Sequence, residues 1–141
     1  MRTAAAWALG SIGDARSAAT LAAALDDPSI DVRASAAHAY GELHGIDRAP
    51  DALVRAVRSG DARLRRVAAH ALVEIHDPAT LDVLIGLFSN EDRDVRLDAV
   101  RAVGELKSAK AQPALLRALK DPDAEVRRVA AEALGEIREG N

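Results

Sequence analysis

The sequence predicts an all-α fold, a right-handed α-solenoid of about nine helices. Three observations carry this expectation. The pattern V-R-x-x-A-A-x-A-L-G-x-I occurs five times, over residues 1–12, 32–43, 64–75, 95–106 and 126–137. Its second residue is Arg2, Arg33, Arg65, Arg96 and Arg127, at intervals of 31, 32, 31 and 31. Helix-capping residues and a leucine-rich helical stripe precede the later copies at fixed distances. A period of this length, built from helical segments, means stacked hairpins that share a continuous apolar seam rather than one central core.

The motif itself reads as the second helix of each hairpin, helix B. At 100° per residue, Val32, Ala36, Ala39, Tyr40 and Leu43 fall on one arc toward the core. Ala37 and Gly41 lie on its flank, where small residues let a neighbouring helix approach. Ala34, His38 and Glu42 point away, and the other copies divide in the same way. Ser29, Asp61, Asp92 and Asp123 stand three residues before their motifs, where a side-chain oxygen can accept from the open amides of the first turn. Asp31, Asp94 and Glu125 follow inside that turn, where negative charge suits the helix dipole; Arg63 breaks the rule.

Helix A comes before B in each hairpin. Leu21, Leu53, Leu84 and Leu115 share one position, and Leu25, Val57, Phe88 and Leu119 share another four residues later. With Ala22, Val54, Ile85 and Leu116 between them, these spacings mark a buried stripe. Pro50, Pro78 and Pro113 lie near helix starts, where a missing amide costs little. Pro28 and Pro122 occupy the A–B turn, and the one-residue insertion falls at His44-Gly45-Ile46. The chain thus reads as a single domain, 1–141, with repeats at 1–13 (helix B only), 14–44, 45–76, 77–107 and 108–141. The array starts at a B helix and stops after the fifth without polar capping repeats. That predicts a piece of a longer array, with end-to-end self-association or a trimmed or designed array as alternatives.

Composition narrows the function. Lys and Arg total 19 against 22 Asp and Glu, a net charge of −3, which argues against general affinity for nucleic acid or anionic membranes. No apolar run approaches the roughly 18 residues that span a bilayer. The opening MRTAAAWALGSIG looks superficially like a short signal peptide, but it aligns position for position with the later repeats. There is no cysteine, which excludes disulfides, thiolate metal sites and cysteine nucleophiles and suits a cytoplasmic setting.

The recurring DPxxxVRxxAAxALGxI, as in residues 27–33 and 121–127, resembles the HEAT-like repeat of the phycobilin-lyase type over the whole chain. The resemblance implies scaffold, lyase-subunit, regulatory or occasional enzyme roles. It also implies that the arginine after the valine ties neighbouring turns together through acidic residues. That structural role falls on Arg33, Arg65, Arg96 and Arg127, with Asp27, Asp61, Asp92 and Asp121 among the partners. The family includes deoxyhypusine hydroxylase, whose di-iron centre is held by adjacent His-Glu pairs at the third and fourth motif positions. Here those positions read Thr3-Ala4, Ala34-Ser35, Arg66-Val67, Leu97-Asp98 and Arg128-Val129, so that activity is not implied. Family members that bind DNA use basic grooves; Arg66, Arg101 and Arg128 would have to serve, opposed by Asp98 and Glu132.

Two constellations remain. His38 and Glu42, and His70 and Glu74, are each four apart on one helix face, in a pattern that continues to His44 and His76; imidazole and carboxylate are ligands for zinc or iron. This is a weak metal site, weighed against four solvated side chains. The second is the outward face of the B helices, which in such solenoids lines the concave surface. One row reads Trp7, His38, His70, Arg101 and Glu132. Its neighbour reads Thr3, Ala34, Arg66, Leu97 and Arg128, and a third Ser11, Glu42, Glu74, Glu105 and Glu136. Trp7 suits a hot spot or a cover for the end of the array. The reading is a non-enzymatic protein-binding scaffold without cofactor. It uses Trp7, His38, Arg66, His70, Arg101, Arg128 and Glu132 to hold a protein or peptide. Four to five repeats supply the roughly 800 Å² per partner of a specific interface. The alternative is a phycobilin-lyase-like subunit or a metal-dependent enzyme.

Overall fold

The computed structural model describes residues 2–12, 15–75 and 77–139. Among these, every regular element is helical, and no helix is long and apolar enough to cross a membrane. Contacts divide the chain into two compact units, Met1–Asp77 and Pro78–Asn141.

The first unit holds α1 (Arg2–Ile12), α2 (Ala18–Ala24), α3 (Ile30–Gly41), α4 (Asp51–Ala56) and α5 (Ala62–Glu74). B helices α1, α3 and α5 lie side by side, with α2 and α4 packed on α3 and α5 respectively. The second unit holds α6 (Pro78–Gly86), α7 (Arg93–Leu106), α8 (Gln112–Ala118) and α9 (Ala124–Glu139). There α7 packs on α9, α6 on α7 and α8 on α9.

The repeated apolar positions explain this packing. Leu21, Leu53, Leu84 and Leu115 are fully buried, and Val32, Leu64, Val95 and Val126 sit beneath the first turn of their B helices. The first turns are capped as their residue types require. Asp61 Oδ1 accepts from the Leu64 amide at 2.8 Å, Asp123 Oδ1 from Val126 at 3.1 Å, and Ser29 Oγ from Val32 at 3.4 Å. Asp92 accepts one residue earlier, from the Asp94 amide at 2.8 Å. Arg63, the exception to the acidic first turn, reaches Asp31 at the equivalent position of the preceding helix, 3.3 Å away. Pro50, Pro78 and Pro113 all fall at helix starts. The inserted loop contains Gly45 at φ 75°, a left-handed conformation that glycine adopts without strain.

Several side chains depart from the expected inside–outside division. Ala34 and Leu97, read as outward, are 1% and 6% exposed. An alanine at Ala34 is too short to rise past α1 and α5, which flank its helix, whereas the long Arg66 at the same motif position reaches solvent. Asp98, read as an outward acid, is also buried. On the A helices, Phe88 is only half-buried and Leu87 goes to the interior, because the chain tightens into a 3-10 turn over Leu87–Ser89 and rotates successive side chains. Leu116, expected in the buried stripe, is 55% exposed on an open groove between α8 and α9.

Candidate functional site

The site is built by register. Because α3, α5, α7 and α9 each start from a capped turn at the same distance from the motif, equivalent residues share one register position within each unit. In the first unit, Trp7, His38 and His70 are all exposed on α1, α3 and α5, as are Ser11, Glu42 and Glu74 one turn later. Arg66 is exposed and its Nε folds back to donate to the Ala62 carbonyl at 3.2 Å. Trp7 is 65% exposed, so its ring is offered to solvent.

In the second unit the same register position holds Arg101 on α7 and Glu132 on α9, beside Glu105 and Glu136. Here the structure joins three of the predicted residues to one that the sequence had assigned only to a helix dipole. Arg128 pairs with both Glu125 and Glu132, and Arg101 reaches Glu125 at 3.7 Å. The hydrogen bond from Arg128 is the largest influence on Glu125. It holds the carboxyl below its usual range, with the charges of Arg128, Arg101 and Arg93 adding to it, while the Arg128 guanidinium is raised in turn. Arg93 bridges Asp94 at 2.8 Å and Asp123 at 3.0 Å and depresses the Asp123 carboxyl, which also accepts from the Val126 amide. Glu125 was missed as a site residue because it lies one place before the motif, where the other copies carry Asp31, Arg63 and Asp94.

Between α7 and α9 lies a cavity of about 200 Å³, walled by Arg101, Glu105, Glu132 and Glu136 over a floor that includes Gly104, Val129 and Ala133. The floor is low because Gly104 has no side chain: a Cβ there would stand 3.0 Å from that of Ala133. Three carboxylates against one guanidinium make this groove negative, and its groups act by ion pairing and hydrogen bonding.

The histidine pattern is less convergent. His70 Nε2 lies 4.0 Å from Glu74 Oε1 on its own helix, and both are exposed. His38 on the adjacent α3 and Glu42 at its C-terminal cap are exposed. Among the described residues no three His, Cys, Asp or Glu side chains are grouped to hold a metal ion; His76 lies outside them.

The predicted arginine ladder pairs with an acid of the next turn at Arg96 and also takes anchors that the resemblance did not imply. Its main anchors are carbonyls of the A–B turn: Arg65 Nη1 donates to Ser59 O at 2.9 Å, Arg96 Nη1 to Asn90 O at 3.0 Å, and Arg127 Nη1 to Pro122 O at 3.0 Å and to Asp121 O. Carboxylates join through Asp121 to Arg96 and through Asp27 to Arg2. Asp61 and Asp92 cap helices instead, a use that consumes the short side chain within its own turn. The Nε of Arg33 is buried without a hydrogen-bond partner.

The stacked hairpins and their repeated turns agree with the family comparison. A model of HEAT repeats matches residues 1–41, 19–96 and 86–140. The chain belongs to the HEAT repeat family. None of the curated proteins matches it in sequence. Among solved structures, this HEAT-repeat chain is similar to the complex of CpcE and CpcF of phycocyanin lyase from Nostoc sp., with TM-score 0.74, 24% identity and coverage of 98% of this chain and 59% of that one. Human deoxyhypusine hydroxylase in complex with glycerol follows at TM-score 0.72 and 23% identity, covering 86% of this chain and 43% of the enzyme. An engineered protein matches at TM-score 0.58 and 24% identity, covering 88% of this chain and 63% of its own. The HEAT-repeat chain therefore spans less than two thirds of each of these three structures, and at these identities the likeness concerns the fold.

Proposed function

We propose that this HEAT-repeat protein is a non-enzymatic scaffold that holds a protein or peptide partner on the outward face of its B helices. One observation carries the reading. The residues that core packing leaves exposed (Trp7, His38, Arg66 and His70 in one unit, Arg101, Arg128 and Glu132 in the other) differ in charge and size from repeat to repeat, while buried positions such as Ala36, Ala68, Ala99 and Ala130 keep one residue. Selection on packing alone does not require a tryptophan, two histidines, an arginine and a glutamate at one exposed register position. The negative groove between α7 and α9 favours a basic segment, and the net charge of −3 favours protein over nucleic acid or membrane. The proposal places the protein in the cytoplasm.

The test is a binding titration of a captured partner against surface variants. Arg101→Glu and Glu132→Arg change the outward face, and Arg117→Glu changes an exposed site on helix α8 as a control. Changed affinity in the first two, weaker for a basic partner in Glu132→Arg, with retention in the third supports the scaffold; equal affinity for all three refutes the placement. A second reading, one subunit of a lyase-type heteromer, draws on the similarity to a two-protein complex that covers 98% of this chain. Co-purification with a single second HEAT-repeat protein and bilin attachment by the pair would favour it.

A further inference from the structure

The A helices of the two units differ at one ion pair. Leu21, Leu53, Leu84 and Leu115 set their common register, which makes Arg117 on α8 the equivalent of Arg55 on α4. By the same count Ser89, just after α6, is the equivalent of Asp26, just after α2. In the first unit Arg55 reaches back to the preceding hairpin and pairs with Asp26, Nη2 to Oδ1 at 3.0 Å. In the second unit the acid of that pair is replaced by the short hydroxyl of Ser89. Arg117 and Lys120 are exposed there on a cavity of about 280 Å³. The one carboxylate in its wall, Asp121, is already held by Arg96 at 2.9 Å.

The rest of the lining is largely apolar, with Ile85, Phe88, Ala114, Ala118 and Pro122. Phe88, the only phenylalanine of the chain, occupies the position at which Leu25 and Val57 are 4% and 1% exposed. The 3-10 turn over Leu87–Ser89 sends Leu87 inward in its place and leaves the ring half-buried at the cavity. Two departures from the repeat therefore coincide: a guanidinium loses its internal acid, and an aromatic ring is turned out beside it. Such a surface suits a group that is anionic at one point and apolar at the next.

We propose that this groove docks an acidic segment of a partner protein. Its carboxylate takes the place that Asp26 holds against Arg55, and its neighbouring apolar side chain covers Phe88. The occupant is a peptide rather than a nucleic acid, because two cations beside an apolar wall match an isolated carboxylate, whereas a phosphate backbone calls for a row of them. The site goes beyond the partner surface proposed above, since it lies on the A helices and prefers the opposite charge to the groove between α7 and α9.

A short synthetic peptide with a glutamate on each side of a leucine tests it, titrated into isotope-labelled protein. Backbone amide shifts should move over residues 85–89 and 114–122. Arg117→Glu and Lys120→Glu, both at exposed sites, should each weaken binding about fivefold. Ser89→Asp should weaken it as well, because it rebuilds within the chain the pair that Arg55 makes with Asp26 and removes no docking group. Serine in place of the leucine should lower affinity, and lysines in place of the glutamates should abolish binding. Arg117→Glu spares a partner held on the B helices and removes one held here, so the two sites are read apart. Equal affinity of wild type and Ser89→Asp would overturn the proposal, as would shifts centred on α7 and α9. Inorganic phosphate that competed as well as the peptide would reduce the site to a bare anion contact and overturn it too. So would a wild type unmoved by the peptide to about 1 mM.

Discussion

Arg96 and Asp121 clasp each other across the junction between two hairpins, Nε to Oδ2 at 2.9 Å and Nη2 to Oδ1 at 3.2 Å, with both side chains largely shielded from water. Arg2 and Asp27 repeat the relationship at the same sequence interval, at 2.9 Å. The aspartate does two things at once, since Asp121 Oδ1 also accepts from the Asp123 amide and shapes the turn that starts α9. Asp121→Ala removes both and leaves the guanidinium uncompensated, with a cost of about 2–3 kcal/mol. Urea unfolding followed by helical signal checks this; a loss below about 0.5 kcal/mol would show that the clasp is only a surface pair.

The same column explains the orphaned Nε of Arg33. The turn residue that accepts the amide two places on is Asp27, Ser59, Asn90 and Asp121 in successive hairpins. Where Arg33 needs a carboxylate, Ser59 supplies only a hydroxyl, and that hydroxyl is taken by the Asp61 amide at 3.1 Å. Ser59→Asp keeps the turn bond and adds an oxygen for Arg33. It should stabilise the protein by about 1 kcal/mol, and the gain should vanish in the Arg33→Ala background. A gain that survives Arg33→Ala would assign the effect to the turn alone.

Identical motif positions should answer oppositely to the same substitution. Gly41→Ala forces a Cβ to 3.0 Å from the Ala71 backbone, where little can give, so α3 and α5 must move apart and stability falls. Gly135→Ala meets open space and replaces an exposed helical glycine, which should raise stability by about 0.5–1 kcal/mol. Melting temperatures at dilute concentration compare the two, and the same sign in both would sink the close-approach argument.

The repeats were legible because period, caps and buried leucines all state the same local structure: Ser29, Asp61, Asp92 and Asp123 cap, and Leu21, Leu53, Leu84 and Leu115 are fully buried. The exposed rows were legible for the same reason. Side-chain reach and local winding were not. Ala34 and Leu97 share a register position with the exposed Arg66 and Arg128, and only their length or packing separates them. A 3-10 turn at Leu87–Ser89 exchanges the depth of two neighbours without any glycine or proline within it to announce it. The role of Glu125 depends on three arginines from two helices, which no single motif copy contains.

The arginine cluster makes stability in the second unit depend on acid. Hydrogen bonding from Arg128 lowers the Glu125 carboxyl below its ordinary 4.5, and Arg93 lowers Asp123 below 3.8. A carboxyl whose value is lower in the folded state contributes its full stability above the unfolded value and loses it as pH falls through the folded one. Stability should therefore hold level from neutrality to the upper carboxylate range and decline below it. Both groups are near solvent, so added salt should shrink the effect. Glu125→Gln, which keeps a hydrogen-bonding oxygen but no charge, should melt below wild type at about pH 7 and converge with it toward about pH 2. Arg128 carries the partner charge at both ends of that range, so a gap that stayed constant with pH would mean that Glu125 acts through packing, and the ion-pair account would fail.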